Sequence, residues 1–401
     1  MPIQNKKSVI YVLIIIVFLS IALHLNGCSS RIIKKERIDE TSISTKSKSA
    51  LDKIQTKEKI LNNVIINPQT CNPSLGDSVQ LSYRLTKPAK VTIHFIDEDG
   101  FIVRRLIDKK DRTSNTMHNE IWDGKDDSGV IVPDEVYYPV ITVNTQNREE
   151  IYNPLLNNGG IDIEATHVQY DKRNQNVSYK LDQHSRVLVR IGLRKGVLLQ
   201  TLVDWQPRVA GTVSEYWNGY DSDTLQEVLK LGDNIAMVIF GYTLPKPFII
   251  CYGNKALSWR EYRMVKDTVQ TKRIIINNSI REDKNISKHF YQSRFYDHAP
   301  KIHITFPHNT EKDSAGVPIL KDKALVHVEI DSVDVQFLDE QYEITFFIDN
   351  EFFVEEEVGY TPYNWLWRVN ALDEGYHILT VNIASFKDRV GTKSVLVRVE
   401  K

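Results

Sequence analysis

Residues 81–95, "LSYRLTKPAKVTIHF", and residues 177–191, "VSYKLDQHSRVLVRI", lie over one another without a gap. Both alternate in hydropathy with a period of two. In the first, Leu81, Tyr83 and Leu85 fall on one face and Ser82 and Arg84 on the other; after the Lys-Pro break, Val91, Ile93 and Phe95 alternate with Thr92 and His94. A half-buried strand requires that pattern, because successive side chains leave a strand on opposite sides. Ser82/Ser178, Tyr83/Tyr179, Leu85/Leu181, Val91/Val187, Gly100/Gly196 and Leu106/Leu202 all repeat at an offset of 96, so the chain carries a duplicated β unit.

Outward from these strands, "DEDG" at 97–100 supplies turn residues leading into "FIVRRLI". Further on, "IWDGKDDSG" at 121–129 returns as "YWNGYDS" at 216–222, with Trp122/Trp217 and Gly124/Gly219 matching at an offset of 95. Each tryptophan reads as a plug at one end of a sandwich, beside an Asp-Gly or Asn-Gly turn that favours positive φ. The oxygens of Asp123, Asp126 and Asp127 could instead hold Ca²⁺, although Lys125 takes a place where such a loop wants a ligand. The last hundred residues repeat the strand texture in "YEITFFIDNEFFVEEE", "TPYNWLWRVNALDEGYHILTVNIASF" and "KSVLVRVE". There Tyr363, Trp365 and Trp367 share one strand face, which either packs a core or, on a surface, stacks sugar rings.

Residues 63–145, and less closely 161–253, resemble the immunoglobulin-like β-sandwich of flagellar hook-capping proteins. The resemblance rests on "SYRLTKPAKVTIHFIDEDG", "VRRL" and "WDGKDDSGVIVPDEVYY". Glu135 stands where that module usually has glycine before its final tyrosine motif. Residues 301–401 are similar to another bacterial immunoglobulin-like domain, which keeps a core tryptophan where Trp367 falls. The resemblance implies an all-β chain of three tandem immunoglobulin-like β-sandwiches, a fold that fixes no function by itself.

The N-terminus says where the chain works. Lys6 and Lys7 precede an apolar run from Val9 to Leu23, too short to span a bilayer and followed by His24. Leu25, Asn26, Gly27 and Cys28 then resemble a bacterial lipobox. That resemblance implies a signal peptide over 1–27 and lipid on Cys28, whose several acyl chains hold the protein stably to a membrane. Ser29 favours the outer membrane of the cell envelope, on its periplasmic or surface side. Residues 28–62 are Lys/Ser/Thr-rich and read as a lipidated tether, and 146–160 as a linker. Only Cys71 and Cys251 remain, in different units; they either form a disulfide, which needs Cα atoms within about 7 Å, or pack as two small apolar thiols.

At 401 residues the chain exceeds one ordinary core, and 41% hydrophobic with 26% charged residues is an ordinary globular balance. A net charge of −1 provides no field to recruit polyanions. The connecting segment 254–300 is locally basic, with ten Lys/Arg against five acids and six interleaved aromatics. It either wraps its own domains, lies on anionic lipid, or docks on a partner through Trp259, Arg260, Tyr262 and Arg263. Nucleic acid suits the composition but not the export signal. No Gly-x-Ser-x-Gly, His-Glu-x-x-His, Cys-x-x-Cys or phosphate-loop motif is present, and the eleven histidines are scattered. These readings describe a lipid-anchored, non-enzymatic scaffold with no cofactor, binding an envelope or surface protein. A glycan- or peptidoglycan-binding module and an assembly or capping factor for a surface structure are the alternatives.

Overall fold

The computed structural model describes residues 59–267, 285–308, 311–335, 338 and 341–401. The signal peptide, the lipobox, Cys28 and nearly all of the tether lie outside the described residues. Where described, the chain is built mostly of β-strands arranged as three sandwiches.

In the first sandwich, β1 (Leu61–Asn67), β3 (Val79–Leu85) and β6 (Met117–Trp122) form one sheet in the order β1-β3-β6. The facing sheet holds β2 (Thr70–Cys71), β4 (Ala89–Ile96), β5 (Ile102–Arg112), β7 (Glu135–Asn144) and β8 (Glu149–Tyr152). The alternation sets the fold here: Val79, Leu81, Tyr83 and Leu85 are all buried, whereas Gln80 and Arg84 are exposed. The second sandwich repeats the plan. Its sheets are β9 (Thr166–Asp171), β10 (Asn176–Leu181) and β13 (Gly211–Tyr216), and β11 (Ser185–Leu193), β12 (Leu198–Arg208) and β14 (Ile235–Thr243). The two tryptophans occupy equivalent places: Trp122 Nε1 donates to the Lys125 carbonyl and Trp217 Nε1 to the Tyr220 carbonyl, both at 2.8 Å. Gly124 sits at φ +67°, and a Cβ there would strike the Pro73 ring at 2.2 Å, so this turn needs glycine twice over.

The third sandwich sets β16 (Ile302–Thr305), β18 (Lys323–Ile330) and β21 (Tyr363–Arg368) against a five-stranded sheet. That sheet runs β17 (Ile319–Lys321), β23 (Val390–Glu400), β22 (Gly375–Ser385), β19 (Tyr342–Ile348) and β20 (Glu351–Glu356). Among the described residues, no helix is long and apolar enough to cross a membrane.

Three sequence boundaries move. The tether does not run to 62: Ile60 and Leu61 are buried, and Leu61 pairs with Leu85. The stretch 146–160 is no bare linker, since β8 pairs with β7 and Leu155 is buried in an apolar cluster with Tyr138, Leu244 and Phe248. The second unit does not keep residues up to 253. Instead β15 (Ile249–Cys251) crosses back and inserts between β2 and β7 of the first sandwich, parallel to one and antiparallel to the other. Cys71 and Cys251, read as belonging to different units, thereby become direct partners in one sheet.

Candidate functional site

The "DEDG" turn joins β4 to β5. Its chain reversal is closed by the Asp97 N–H to the Phe101 carbonyl, at 3.0 Å, and by the Phe101 N–H to Asp97 Oδ1, at 2.9 Å. A turn of three acids is ordinarily solvated, yet Asp97 is 0% and Asp99 4% exposed, and the Glu98 side chain only 7%. Each acid is met by a different part of the chain. Arg263 lies 3.4 Å from Asp97 and stacks over the Phe101 ring. Glu98 meets Arg186 at 2.5 Å and accepts from the Tyr242 hydroxyl at 3.3 Å. Asp99 accepts from Ser293 Oγ and from the backbone N–H groups of Arg294 and Phe295, at 2.9, 2.7 and 3.0 Å.

Arg186 is the centre of the seam between the first two sandwiches. It projects from β11, is completely buried, and grips Glu135 at the start of β7 with two hydrogen bonds of 2.6 and 3.2 Å. A third donor reaches the Trp205 carbonyl at 2.6 Å. Burial disfavours the guanidinium charge, but Glu135 and Glu98 overcome it and hold the group well above its ordinary pKa. Burial likewise pushes Glu98 up, against the pull of Arg186. Asp97 is pushed up to about 8 by burial, with Arg263 opposing. Tyr138, Leu244, Phe248 and Ile250 seal the seam with apolar surface. The duplication shows how specific the arrangement is. At the offset of 96, Arg186 replaces Lys90, which is exposed and pairs with Asp111, and the acidic turn is replaced by Leu193-Arg194-Lys195-Gly196.

Of the basic aromatic segment, residues 268–284 lie outside the described residues; the part before them packs on the sandwiches. In the helix Trp259–Asp267, Trp259, Tyr262 and Arg263 are buried, and Arg260 pairs at 2.6 Å with Asp334 of the third sandwich. Tyr262 donates to Asp126 at 2.9 Å and Lys266 lies 2.7 Å from the same carboxylate. Of the four residues read as partner contacts, Trp259, Tyr262 and Arg263 are buried within the chain, and the cations of Arg260 and Arg263 answer acids of its own sandwiches. Burial works against the charge on Asp334, but His298, the Lys301 N–H and Arg260 hold it down to about 2.

The Ca²⁺ candidates are likewise engaged internally. Asp126 is buried and also accepts from the Ser128 and Val130 N–H groups, Asp127 pairs with Arg105, and Asp123 caps the Lys125 N–H. Among the described residues, no group of three or more His, Cys, Asp or Glu side chains is placed to hold a metal ion. The aromatic row on β21 faces the core of the third sandwich, with Trp367 inside it and Tyr363 and Trp365 partly buried against it. Trp367 is completely buried, Trp365 stacks on it and lies tilted against Phe346, and Tyr363 packs toward Phe346. A cavity of about 580 Å³ opens beside the seam, lined in part by Asp204, Arg208, Trp259, Arg294 and His298.

Sequence reasoning missed Glu98, Asp99, Glu135 and Arg186 as a unit. The one available signal was Glu135, a carboxylate in a position that the hook-cap-like module gives to glycine.

The site defines a class only: an all-β protein of tandem immunoglobulin-like sandwiches locked together by buried charge. No protein-family model matches the chain, and no curated protein does. Solved structures with some likeness include a 1.5-MDa bacterial ice-binding adhesin described for host cell surface retention, at 11% identity over 84% of this chain and 99% of that one, with a TM-score of 0.18. A Ca²⁺-stabilized adhesin of an Antarctic bacterium follows at 10% identity, covering 85% and 73%, with a TM-score of 0.17. A tetra-tandem repeat from the extending region of a large adhesion protein shows 10% identity, 84% and 73% coverage, and a TM-score of 0.18. Scores this low carry no argument about function, and the fold assignment rests on the sheets themselves.

Proposed function

We propose that this chain is a lipoprotein of the bacterial cell envelope, anchored through Cys28, and that it works as a stiff, non-enzymatic scaffold for another envelope or surface protein. The observation that carries the reading is the Arg186–Glu98–Glu135 centre. Modules strung on free linkers have no reason to bury charge between them. A buried guanidinium needs both carboxylates in place, so it favours one mutual orientation of the first two sandwiches. The strongly perturbed ionisable groups of the seam are used in holding the chain together.

With Trp259, Tyr262 and Arg263 buried within the chain, a strand edge is the better surface for a partner. β20 is the outer strand of its sheet, and a bulge leaves Phe352 and Phe353 60% and 45% exposed. Glu343, Glu351, Glu355, Glu356 and Glu357 surround it. The chemistry suits an extended partner segment that pairs with the edge, covers the rings and carries Lys or Arg.

Two experiments test this. Labelled fatty acid should enter the wild-type chain and be lost in Cys28→Ser. Cross-linking in native membranes should recover a stoichiometric partner that disappears with Phe352→Glu and Phe353→Glu together. A chain recovered free in the cytosol with Met1 intact contradicts the anchoring, and a partner unaffected by the double substitution contradicts the edge.

A further inference from the structure

Cys71 ends β2 and Cys251 ends β15, and the parallel ladder pairs the two residues directly. Neighbouring strands lie about 4.8 Å apart, within the Cα separation that a disulfide spans. The sulfurs approach to 3.4 Å, and each residue is 1% exposed. Their strands are only two and three residues long. The Ile250 N–H to Gln69 carbonyl and the Tyr252 N–H to Cys71 carbonyl, at 2.9 and 3.1 Å, hold them together. This short ladder nevertheless carries the return of the chain from the second sandwich into the first.

We infer that Cys71 and Cys251 form a disulfide in the mature protein, closing a covalent loop across a separation of 180 residues that holds most of the first sandwich and all of the second. The oxidising compartment this requires rests on the export reading above; the geometry does not. The oxidant is another disulfide, small-molecule or protein-borne. The Cys71 thiolate attacks one of its sulfurs and displaces a thiolate. Cys251 then gives up its proton and attacks the Cys71 sulfur, displacing the second thiolate. Two electrons pass to the oxidant, and the two protons end on the thiols released. The two cysteines can exchange these roles, because the hydrogen bond and the burial that shift their thiols arise only once the two strands have docked. Both sulfurs are covered in the finished fold, so exchange precedes the docking of β15.

The test uses the full chain from an envelope fraction, alkylated at lysis and digested without reduction. The expected product is one linked peptide pair carrying Cys71 and Cys251, lighter by two hydrogens than its separate halves. In parallel, the chain is unfolded and refolded in mixed reduced and oxidised glutathione, where the same link should form. Reduction should lower the thermal midpoint by on the order of 10 °C. Cys251→Ser should not respond to reductant, which separates the bond from mere packing. Envelope protein with both cysteines alkylated, or with either linked to another molecule, overturns the inference. If the chain fractionates with the cytosol, the export reading fails, and the refolding arm decides the pairing: the link supports it and two alkylated thiols overturn it.

Discussion

The seam between the first and second sandwiches is centred on a buried ion cluster; the seam between the second and third is built mainly on neutral amides, with an ion pair at its rim and Arg190 donating to the Asp388 carbonyl at 2.9 Å. In the first, Arg186, Glu98 and Glu135 are all but removed from water. In the second, the Asn382 side chain accepts from the Leu198 N–H at 2.8 Å and donates to its carbonyl at 3.0 Å, and Gln226 and Asn350 exchange amide bonds. Asp223 takes Lys393 and the Ser394 N–H, and Phe347 of the third sandwich is buried against the core of the second. A neutral contact contributes modestly and fails modestly. A buried charge adds little over an apolar substitute, yet breaking it is costly, because whatever is left behind has no solvent.

That difference can be broken in order of size. Arg186→Ala leaves two buried carboxylates facing each other and should cost about 3–5 kcal/mol in urea unfolding. Replacing the centre as a whole, with Arg186→Met, Glu98→Gln and Glu135→Met, should recover most of that loss; a triple variant no better than the single one would mean that the charges are not the cause. At the second seam, Asn382→Ala removes both bonds to Leu198 and should cost about 1–3 kcal/mol by the same measurement.

A smaller effect, confined to acid, comes from Asp334, which ties the helix Trp259–Asp267 to the third sandwich. Its folded pKa of about 2 lies below the ordinary carboxylate value, so its contribution is present above about pH 4 and lost as pH falls towards 2. Thermal midpoints taken across that range should fall less steeply in Asp334→Asn than in the wild type. Least of all, Lys393→Ala touches a partly exposed pair and should cost no more than about 1 kcal/mol. A loss as large as that from Arg186→Ala would erase the distinction between the two seams.

The strands were legible because their burial follows a local period. The register of "LSYRLTKPAKVTIHF" on "VSYKLDQHSRVLVRI" became the matched strands β3/β10 and β4/β11, and Trp122 and Trp217 make the same bond. The seam was not legible, since nothing local separates a solvated acidic turn from a buried one. Asp97, Glu98 and Asp99 acquire their meaning from Arg263, Arg186 and the Arg294 backbone, which are 88 to 195 residues away. The three-residue strand β15 is equally silent: "IIC" is apolar enough for any sheet, and its insertion between β2 and β7 depends on how two sandwiches dock. The aromatics of 254–300 left self-packing, lipid and partner docking all open; Trp259 and Tyr262 are buried whereas Tyr291 and Tyr296 are exposed, and the acids they accompany could not be named from spacing.

The acidic turn is an internal bolt, closed over by residues far along the chain. The backbone amides of Arg294 and Phe295, which donate to Asp99, report on that directly by hydrogen exchange. They should exchange as slowly as amides in β4, and lose that protection when Asp99 is replaced by alanine. Exchange in the unaltered protein at the rate of a solvated loop would mean that the turn is open and the sandwiches are not held as described.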